Sequence, residues 1–420
     1  MKKNPQDVKY NLSAISNFLA AIGGGTILGK GVNVLDTPIL HGGSILAFII
    51  GTVFGLLFLR IIPKKISTPI ARWFSVFAGL ISLILLIIFN IYSIDNRLTN
   101  VAALIFFFLL SIRFGFWFYS RVLRAASVAG QQQKIAWVEL GYYSGMIAGL
   151  ILWNILDVKF GIAAAFMIDA CLQFTAGYID FNVNQNKPMI DLSSYKIDTS
   201  DKTLLKHKNN WFWKLTFSVV LLTIGTQVII FSLAHQVIDS ITSYILAIYY
   251  IGVSLGAYFC RLFNIQIEWE MTNYKVVNPI FIFHFKNNVK KINATWNYII
   301  LTTCISVSII GVVNLQWGIT NPSASWLLFI FVAIAAFFYE IFALSLLDKI
   351  GFYEKKSNQT GLVTRTYGYM GIGAAVGFWT LSILHNSVFG LIGLLLACFI
   401  LTIFFIYRKF HDENLLQLGV

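Results

Sequence analysis

The chain has 420 residues, of which 57% are hydrophobic and only 12% are charged, and its mean hydropathy is +0.74. Soluble domains have about 45–50% apolar and about 25% charged residues, so this composition excludes an ordinary soluble protein and indicates a chain that folds in lipid. The net charge of +13 would suggest a nucleic-acid partner for a soluble chain. Here the basic residues are spread over several segments without interleaved aromatic residues, so we expect no nucleic-acid partner.

Cysteine and histidine residues show no pattern typical of a disulfide framework, a metal site or an enzyme. The cysteines fall inside apolar runs without CxxC or Cys/His spacing, and we interpret them as packing residues. The histidines are scattered and form no HxxxH pair. The sequence therefore predicts a protein that is not an enzyme and that has no metal and no cofactor. The cysteines are Cys171, Cys260, Cys304 and Cys398.

Apolar runs of about 20 residues, the length that a membrane-spanning helix needs, recur twelve times along the chain. The first run carries Lys30 and Asn33 near its end. The sequence therefore predicts an all-α polytopic membrane protein. The predicted spans cover residues 14–34, 42–62, 73–93, 101–120, 137–156, 161–181, 211–234, 241–262, 296–317, 325–346, 367–384 and 387–407.

A long segment separates the eighth and ninth spans, from Phe263 to Thr295. Its part from Pro279 to Lys291 is apolar at first and basic at the end. Two interpretations stay open: this part lies along the cytoplasmic membrane surface, or it is a simple connector.

The basic residues predict the orientation of the spans. If the N-terminus is cytoplasmic, nearly all Lys and Arg residues fall on the cytoplasmic side, and the opposite side receives only Lys30, Arg97 and Lys159. Cytoplasmic loops carry such an excess of positive charge, so we predict that both termini and the central linker are cytoplasmic. The richness in Ile, Asn, Lys and Phe with few Pro indicates an AT-rich bacterial genome and hence the bacterial cytoplasmic (inner) membrane.

A polar stretch divides the chain into a predicted six-helix bundle at residues 1–181, a cytoplasmic linker at 182–210 and a second six-helix bundle at 211–420. Residues 141–149 in span five and 369–377 in span eleven are similar glycine-rich sequences. They contain the small-xxx-small pairs Gly145/Gly149 and Gly373/Gly377, which let a neighbouring helix approach closely. This repeat favours two related halves.

These features resemble the major facilitator superfamily of secondary transporters. Twelve spans, cytoplasmic ends, a long basic loop after span six and glycine-rich fifth and eleventh spans carry the resemblance. The family's loop between spans two and three has Gly-x-x-x-Asp before basic residues, whereas Gly55 to Arg60 lacks the acid. Gly149-Leu150 stands where drug antiporters of the family have Gly-Pro, which argues against a standard multidrug antiporter. The resemblance implies that spans one, four, seven and ten line a central cavity.

Arg113 in span four and Glu340 in span ten would then lie on equivalent helices of the two halves. An ionisable side chain inside a span tends to face a bundle interior or a water-filled cavity. Arg113 stays charged at any relevant pH and can bind a carboxylate or phosphate of a substrate. The alternative is that Arg113 bonds only to carbonyl groups or pairs with Asp169 to lock the N-terminal half.

Glu340 is predicted to carry a coupling proton, because a buried carboxylate can bind and release a proton. The alternative is that Glu340 and Asp348 belong to a cytoplasmic gate that contacts Lys349 or Arg365.

Further polar residues of the spans complete the predicted site. Trp117, Arg121 and Arg124 continue the face of Arg113 at helical spacing, and we predict that Trp117 contacts substrate. Glu139 is predicted to meet Arg121 or Arg124 in a gate at the cytoplasmic rim. Gln227 in span seven, with Thr223 and Thr226, could bind the solute or hold helices together.

Asp169 is a second candidate for proton coupling. Asp169, Gln173 and Asp180 share one face of span six and form a polar seam. The resemblance implies that span six is peripheral, which favours pairing of Asp169 within the bundle over contact with substrate.

The sequence thus predicts a secondary active transporter that moves a small polar or anionic organic solute by alternating access, coupled to protons. Its expected partners are this solute, protons and the lipid bilayer, and it is expected to be a monomer. Two alternatives remain: an efflux pump for amphipathic or toxic compounds, suggested by the many aromatic residues, and a membrane scaffold or receptor without transport.

Overall fold

The computed structural model describes residues 5–31, 132–156, 161–185, 239–272, 276–285, 288–293 and 324–356, with further positions within 69–84, 216–223, 366–370 and 397–400. The long helices are α1 (Pro5–Gly31), α2 (Gln132–Leu156), α3 (Gly161–Gln185), α4 (Asp239–Phe263) and α5 (Ala324–Lys356). The strands are β1 (Ile265–Thr272), β2 (Val276–Phe285) and β3 (Asn288–Asn293). A shorter apolar helix, Arg72–Ile81, is called the Arg72 helix below.

The long helices coincide with the predicted spans one, five, six, eight and ten. Helices α2, α4 and α5 contain segments long and apolar enough to cross a membrane. Uninterrupted helices suit this environment because every backbone N–H and C=O in the hydrocarbon must be bonded within the protein. Helix α5 has 33 residues, so its length of about 50 Å exceeds a hydrocarbon core of about 30 Å. One end of α5 therefore extends beyond the membrane.

Helix α1 is packed between α2 and α3 through its glycines. A Cβ atom added at Gly25 would lie 2.6 Å from the carbonyl oxygen of Met146 and 3.1 Å from Cα of Gly149, both in α2. A Cβ atom added at Gly23 would collide with the side chain of Asp169 in α3. Gly23 and Gly25 thus let two helices approach α1 at once.

The glycine ridge of α2 faces α1, as the small-xxx-small pattern predicted. A side chain at Gly145 would collide with the carbonyl oxygen of Phe18, and one at Gly149 would collide with that of Ile22. The corresponding pair in span eleven, Gly373/Gly377, lies outside the described residues.

A second close helix pair, α4 with α5, was not predicted. Gly252 lies against the carbonyl oxygen of Ala333. A Cβ atom added at Gly256 would lie 2.8 Å from the carbonyl oxygen of Phe337 and 2.9 Å from Cβ of Glu340. The Gly-x-x-x-Gly spacing in α4 therefore fixes the position of α5 and, with it, the backbone that carries Glu340.

The segment after α4 is a three-stranded antiparallel sheet in the order β1-β2-β3, so residues 263–295 are not the simple connector of the second interpretation. The position of Pro279 to Lys291 along the membrane surface stays a prediction. Helix α4 ends where Asn264 adopts a left-handed conformation (φ 42°) and its N–H donates to the carbonyl oxygen of Cys260 at 3.1 Å. The sheet then folds back on the helices: Phe283 packs on Phe259 of α4, and Phe281 packs on Phe342 of α5. The all-α membrane fold is confirmed, with this sheet as an addition to it.

Candidate functional site

Helix α2 contacts both α4 and α5, and these contacts join the two predicted halves of the chain. The central feature is a hydrogen bond to a buried carboxylate. The hydroxyl of Tyr143 in α2 donates to Oε2 of Glu340 in α5 at 2.9 Å, and both side chains are buried. We call the following set of side chains the interhalf contact: Gln132, Trp137, Tyr142 and Tyr143 of α2, Tyr249, Tyr250 and Arg261 of α4, and Glu340 and Ser345 of α5.

Tyrosine rings surround this hydrogen bond. The ring centroids of Tyr143 and Tyr250 lie 6.2 Å apart, and those of Tyr142 and Tyr250 lie 6.4 Å apart. Tyr249 extends the cluster, with its centroid 5.4 Å from that of Tyr250. These separations are typical of favourable aromatic pairs. The buried rings exclude water from the Glu340 carboxylate, which strengthens its interaction with the Tyr143 hydroxyl.

Two polar contacts join the helices nearer the end that is predicted to be cytoplasmic. The side-chain nitrogen of Gln132 donates to the hydroxyl oxygen of Ser345 at 3.2 Å. The guanidinium carbon of Arg261 lies 3.6 Å from the centroid of the Trp137 ring, a cation–π geometry that is worth more when it is shielded from water. These contacts and the tyrosine cluster join α2 to α4 and α5 at this end.

Helix α1 is connected to the same region. The indole nitrogen of Trp137 donates to Oδ1 of Asn11 at 3.0 Å. The ammonium group of Lys134 lies 4.4 Å from the centroid of the Tyr10 ring. Both contacts anchor the start of α2 to the start of α1, so the two helices are expected to move together.

A second buried polar cluster is centred on Arg72, which is 1% exposed. Its Nε donates to Oδ2 of Asp180 at 3.0 Å in an ion pair. Its two terminal nitrogens donate to the side-chain oxygens of Asn17, at 2.9 Å, and Gln173, at 3.3 Å. The Arg72 helix is thereby bonded to α1 and α3 within the N-terminal half.

The predicted polar seam of α3 forms part of this cluster. Asp169, Gln173 and Asp180 are all buried. The amide nitrogen of Gln173 donates to the carbonyl oxygen of Ala20 at 3.1 Å and to Oδ1 of Asp169 at 3.4 Å. These contacts favour pairing of Asp169 within the bundle, and its part in proton coupling stays a prediction.

Threonines of span seven contact other helices. The hydroxyls of Thr223 and Tyr339 lie 3.3 Å apart, and those of Thr216 and Thr366 lie 3.2 Å apart. Thr223 therefore holds span seven to α5, in agreement with the second of its two interpretations.

The structure brings together only some of the predicted site residues. Glu340 lies at the interhalf contact and Glu139 is buried in α2 one turn before Tyr143. The other predicted substrate and gate residues lie outside the described residues, and these are Arg113, Trp117, Arg121, Arg124 and Gln227. The described part of the chain contains no group of three His, Cys, Asp or Glu side chains that could hold a metal ion.

Neither Tyr143 nor Arg72 could be recognised from the sequence as part of a buried polar contact. Arg72 directly precedes the predicted span at 73–93, which is where loop residues are expected. Tyr143 was considered only as a member of the glycine-rich repeat. A usable signal was present, because spans five and eight each contain a Tyr-Tyr pair, Tyr142-Tyr143 and Tyr249-Tyr250, and both pairs lie in the interhalf contact.

The sequence matches no protein-family model and no curated protein, whereas the structure matches several solved transporters. A bacterial homologue of the iron transporter ferroportin in its outward-facing state has a TM-score of 0.59 and 10% identity, with 94% of this chain and 99% of that chain covered. Its inward-facing state has a TM-score of 0.57 and 11% identity over 94% and 98% of the two chains. The human organic anion transporter MFSD10 (TETRAN) has a TM-score of 0.52 and 12% identity over 95% and 100%.

These similarities extend over nearly the whole chain, and they confirm the resemblance to the major facilitator superfamily at the level of the fold. The chain shares the fold of these transporters, which is that of a multi-pass membrane protein. The similar solved structures are those of transporters and not of enzymes, in agreement with the expectation from the sequence.

Proposed function

We propose that the protein is a secondary active transporter that moves a small polar or anionic organic solute across the cytoplasmic membrane by alternating access, coupled to protons. The observation that carries this proposal is the buried Glu340 carboxylate at the contact between the halves. In alternating access the two bundles rock around a site near the middle of the membrane, so contacts between them form and break in every cycle. A proton carrier at such a contact is well placed to couple proton binding to movement.

The class of solute follows from the predicted cavity. Arg113 is predicted to supply a permanent positive charge for a carboxylate or phosphate group, and Trp117 and Gln227 are the other predicted substrate contacts. One similar solved structure is titled an organic anion transporter and another an iron transporter homologue. The positive charge of Arg113 favours an organic anion as the solute.

The test is proton flux driven by solutes in proteoliposomes. Wild-type protein is offered amino acids, carboxylates and phosphorylated compounds, and the pH inside the vesicles is recorded. We expect flux with an anionic solute and loss of this flux in Glu340→Gln, which keeps the size of the side chain but cannot ionise. Asp169→Asn is the matched variant: if it alone abolishes flux, the proton is carried by Asp169 and the assignment to Glu340 is wrong.

Two results would replace the proposal with one of its alternatives. Proton flux with amphipathic cations and with no anion would favour an efflux pump for amphipathic compounds. If a well-folded wild-type protein gives no flux with any solute, a membrane scaffold or receptor becomes the better interpretation.

Arg113→Ala is expected to remove flux of anions while the melting temperature is unchanged.

A further inference from the structure

We propose that Tyr143 is a positioning residue that makes proton binding at Glu340 and opening of the interhalf contact depend on each other. The inference rests on the proposed function, in which Glu340 carries the coupling proton. It assigns to Tyr143 a role that goes beyond packing: its hydroxyl makes the carboxylate respond to the conformation of the transporter.

Some groups around Glu340 belong to the same predicted half as Glu340, and others belong to the other half. Cys260 lies on α4 one turn after Gly256, whose backbone packs against Glu340. Asp348 and Lys349 lie further along α5 itself. Helices α4 and α5 are packed backbone to backbone at Gly256, so these groups accompany Glu340 when the halves move.

Tyr143 approaches Glu340 from α2, which belongs to the other predicted half. Tyr143 is therefore not expected to move together with Glu340 when the halves separate. Its hydroxyl lies 2.9 Å from Oε2 of Glu340. The same helix also carries the buried Glu139 one turn earlier and Lys134 near its start, where Lys134 is engaged with the Tyr10 ring. Separation of α2 from α5 would remove the Tyr143 hydroxyl from the carboxylate.

The direction of the coupling follows from the hydrogen bond. A phenol hydroxyl donates more strongly to an ionised carboxylate than to a protonated one. The closed conformation, in which the bond is made, therefore competes with the proton for Glu340. Because such coupling is reciprocal, binding of a proton favours opening by the same factor. A hydrogen bond to a charged group corresponds to a change of about tenfold or more in the equilibrium between the closed and the open conformation.

The experiment measures the opening directly and needs no known solute. Spin labels are attached at Gln133→Cys on α2 and Leu262→Cys on α4, two exposed positions near the interhalf contact, in a chain whose own cysteines are replaced. Distances between the labels are recorded in lipid nanodiscs between pH 5 and pH 8. In the wild-type background we expect a longer distance to gain population as the pH falls, with the open-to-closed ratio changing about tenfold.

Tyr143→Phe keeps the ring and removes the hydroxyl, and it is expected to reduce this pH dependence severalfold. Tyr142→Phe is the matched control, because Tyr142 is the adjacent residue and its ring packs in the same cluster; it should retain the wild-type pH dependence. Glu340→Gln provides a second test that leaves Tyr143 in place, and it should also make the distances insensitive to pH.

Either of two results would overturn the inference: a Tyr143→Phe protein whose distances respond to pH as strongly as those of wild type, or wild-type distances that do not change with pH. Failure of the proposed function has a different signature. Proton flux that persists in Glu340→Gln would show that Glu340 is not the proton carrier. If proton flux depends on Glu340 but the interhalf contact of Tyr143→Phe opens with the wild-type pH dependence, only the role of Tyr143 is wrong.

Discussion

Arg72 donates hydrogen bonds to three side chains from a position that is 1% exposed. A buried charge is tolerated only when it is paired and hydrogen-bonded. The planar guanidinium can donate hydrogen bonds to several acceptors at once. Arg72 therefore fixes the Arg72 helix to α1 and α3. Because α1 also packs on α2, this cluster supports the helix that carries Tyr143.

We predict that Arg72→Ala destabilises the protein by about 3–5 kcal/mol, because it leaves Asp180 buried without its cation. Thermal unfolding in detergent measures the effect. Phe74→Ala on the same helix removes a large but exposed side chain and serves as the control, with a much smaller loss. The double variant Arg72→Ala with Asp180→Ala should lose less than the sum of the two single variants. An Arg72→Ala protein that melts like wild type would contradict the role assigned to this ion pair.

The sequence could not reveal this pair, although it revealed parts of the cluster. The face shared by Asp169, Gln173 and Asp180 followed from helical spacing within one span. The partner of Asp180 lies 108 residues earlier in the chain, and an arginine next to an apolar run has the same appearance in a loop as in a buried helix. Spacing within an element was therefore predictable, whereas pairing between elements was not.

At the scale of whole helices, the glycines of α1 determine how closely three helices pack. The consecutive glycines differ in their surroundings. An added Cβ atom would lie 2.6 Å from a backbone oxygen at Gly25, whereas at Gly24 the nearest atom is Sδ of Met146 at 3.6 Å. The first distance is too short for any side chain, and the second is an ordinary contact.

Gly25→Ala is therefore predicted to destabilise the protein by about 1–3 kcal/mol through overpacking. Gly24→Ala makes the same chemical change one residue earlier, and it should be neutral or slightly stabilising because alanine favours the helix by about 0.5–1 kcal/mol over glycine. Melting temperatures of the two variants, compared with wild type, decide the question. Equal effects at both positions would show that helix propensity and not close packing explains the glycines.

Among the elements, the helices were predictable and the sheet was missed. Length and hydropathy identify a span reliably because the membrane allows few other structures. In β1 the sequence Ile-Gln-Ile-Glu-Trp-Glu-Met-Thr alternates apolar and polar residues, which is the pattern of a strand. Neither interpretation of the segment, as a part lying along the membrane surface or as a connector, used this alternation. The contacts of the sheet with α4 and α5 could not be inferred from alternation alone.

For the molecule as a whole, the multi-pass membrane fold was predictable from the sequence, whereas the contact between the predicted halves was not. The residues that form it are far apart in the chain: Tyr143 and Glu340 are separated by 197 positions, and Gln132 and Ser345 by 213 positions. Membrane helices are apolar on most of their surface, so periodicity does not show which face meets another helix. The structure shows one conformation, in which this contact is closed.

Alternating access requires that the interhalf contact opens during transport. Cross-linking Gln132→Cys to Ser345→Cys with a short bifunctional thiol reagent, in a chain whose own cysteines are replaced, tests this requirement. Proton flux in proteoliposomes is then measured with the solute that gives the largest wild-type signal. The two single-cysteine variants, treated in the same way, are the controls. We predict that flux stops in the cross-linked double variant and returns when the linker is cleaved; full flux through a protein that is completely cross-linked would contradict the account.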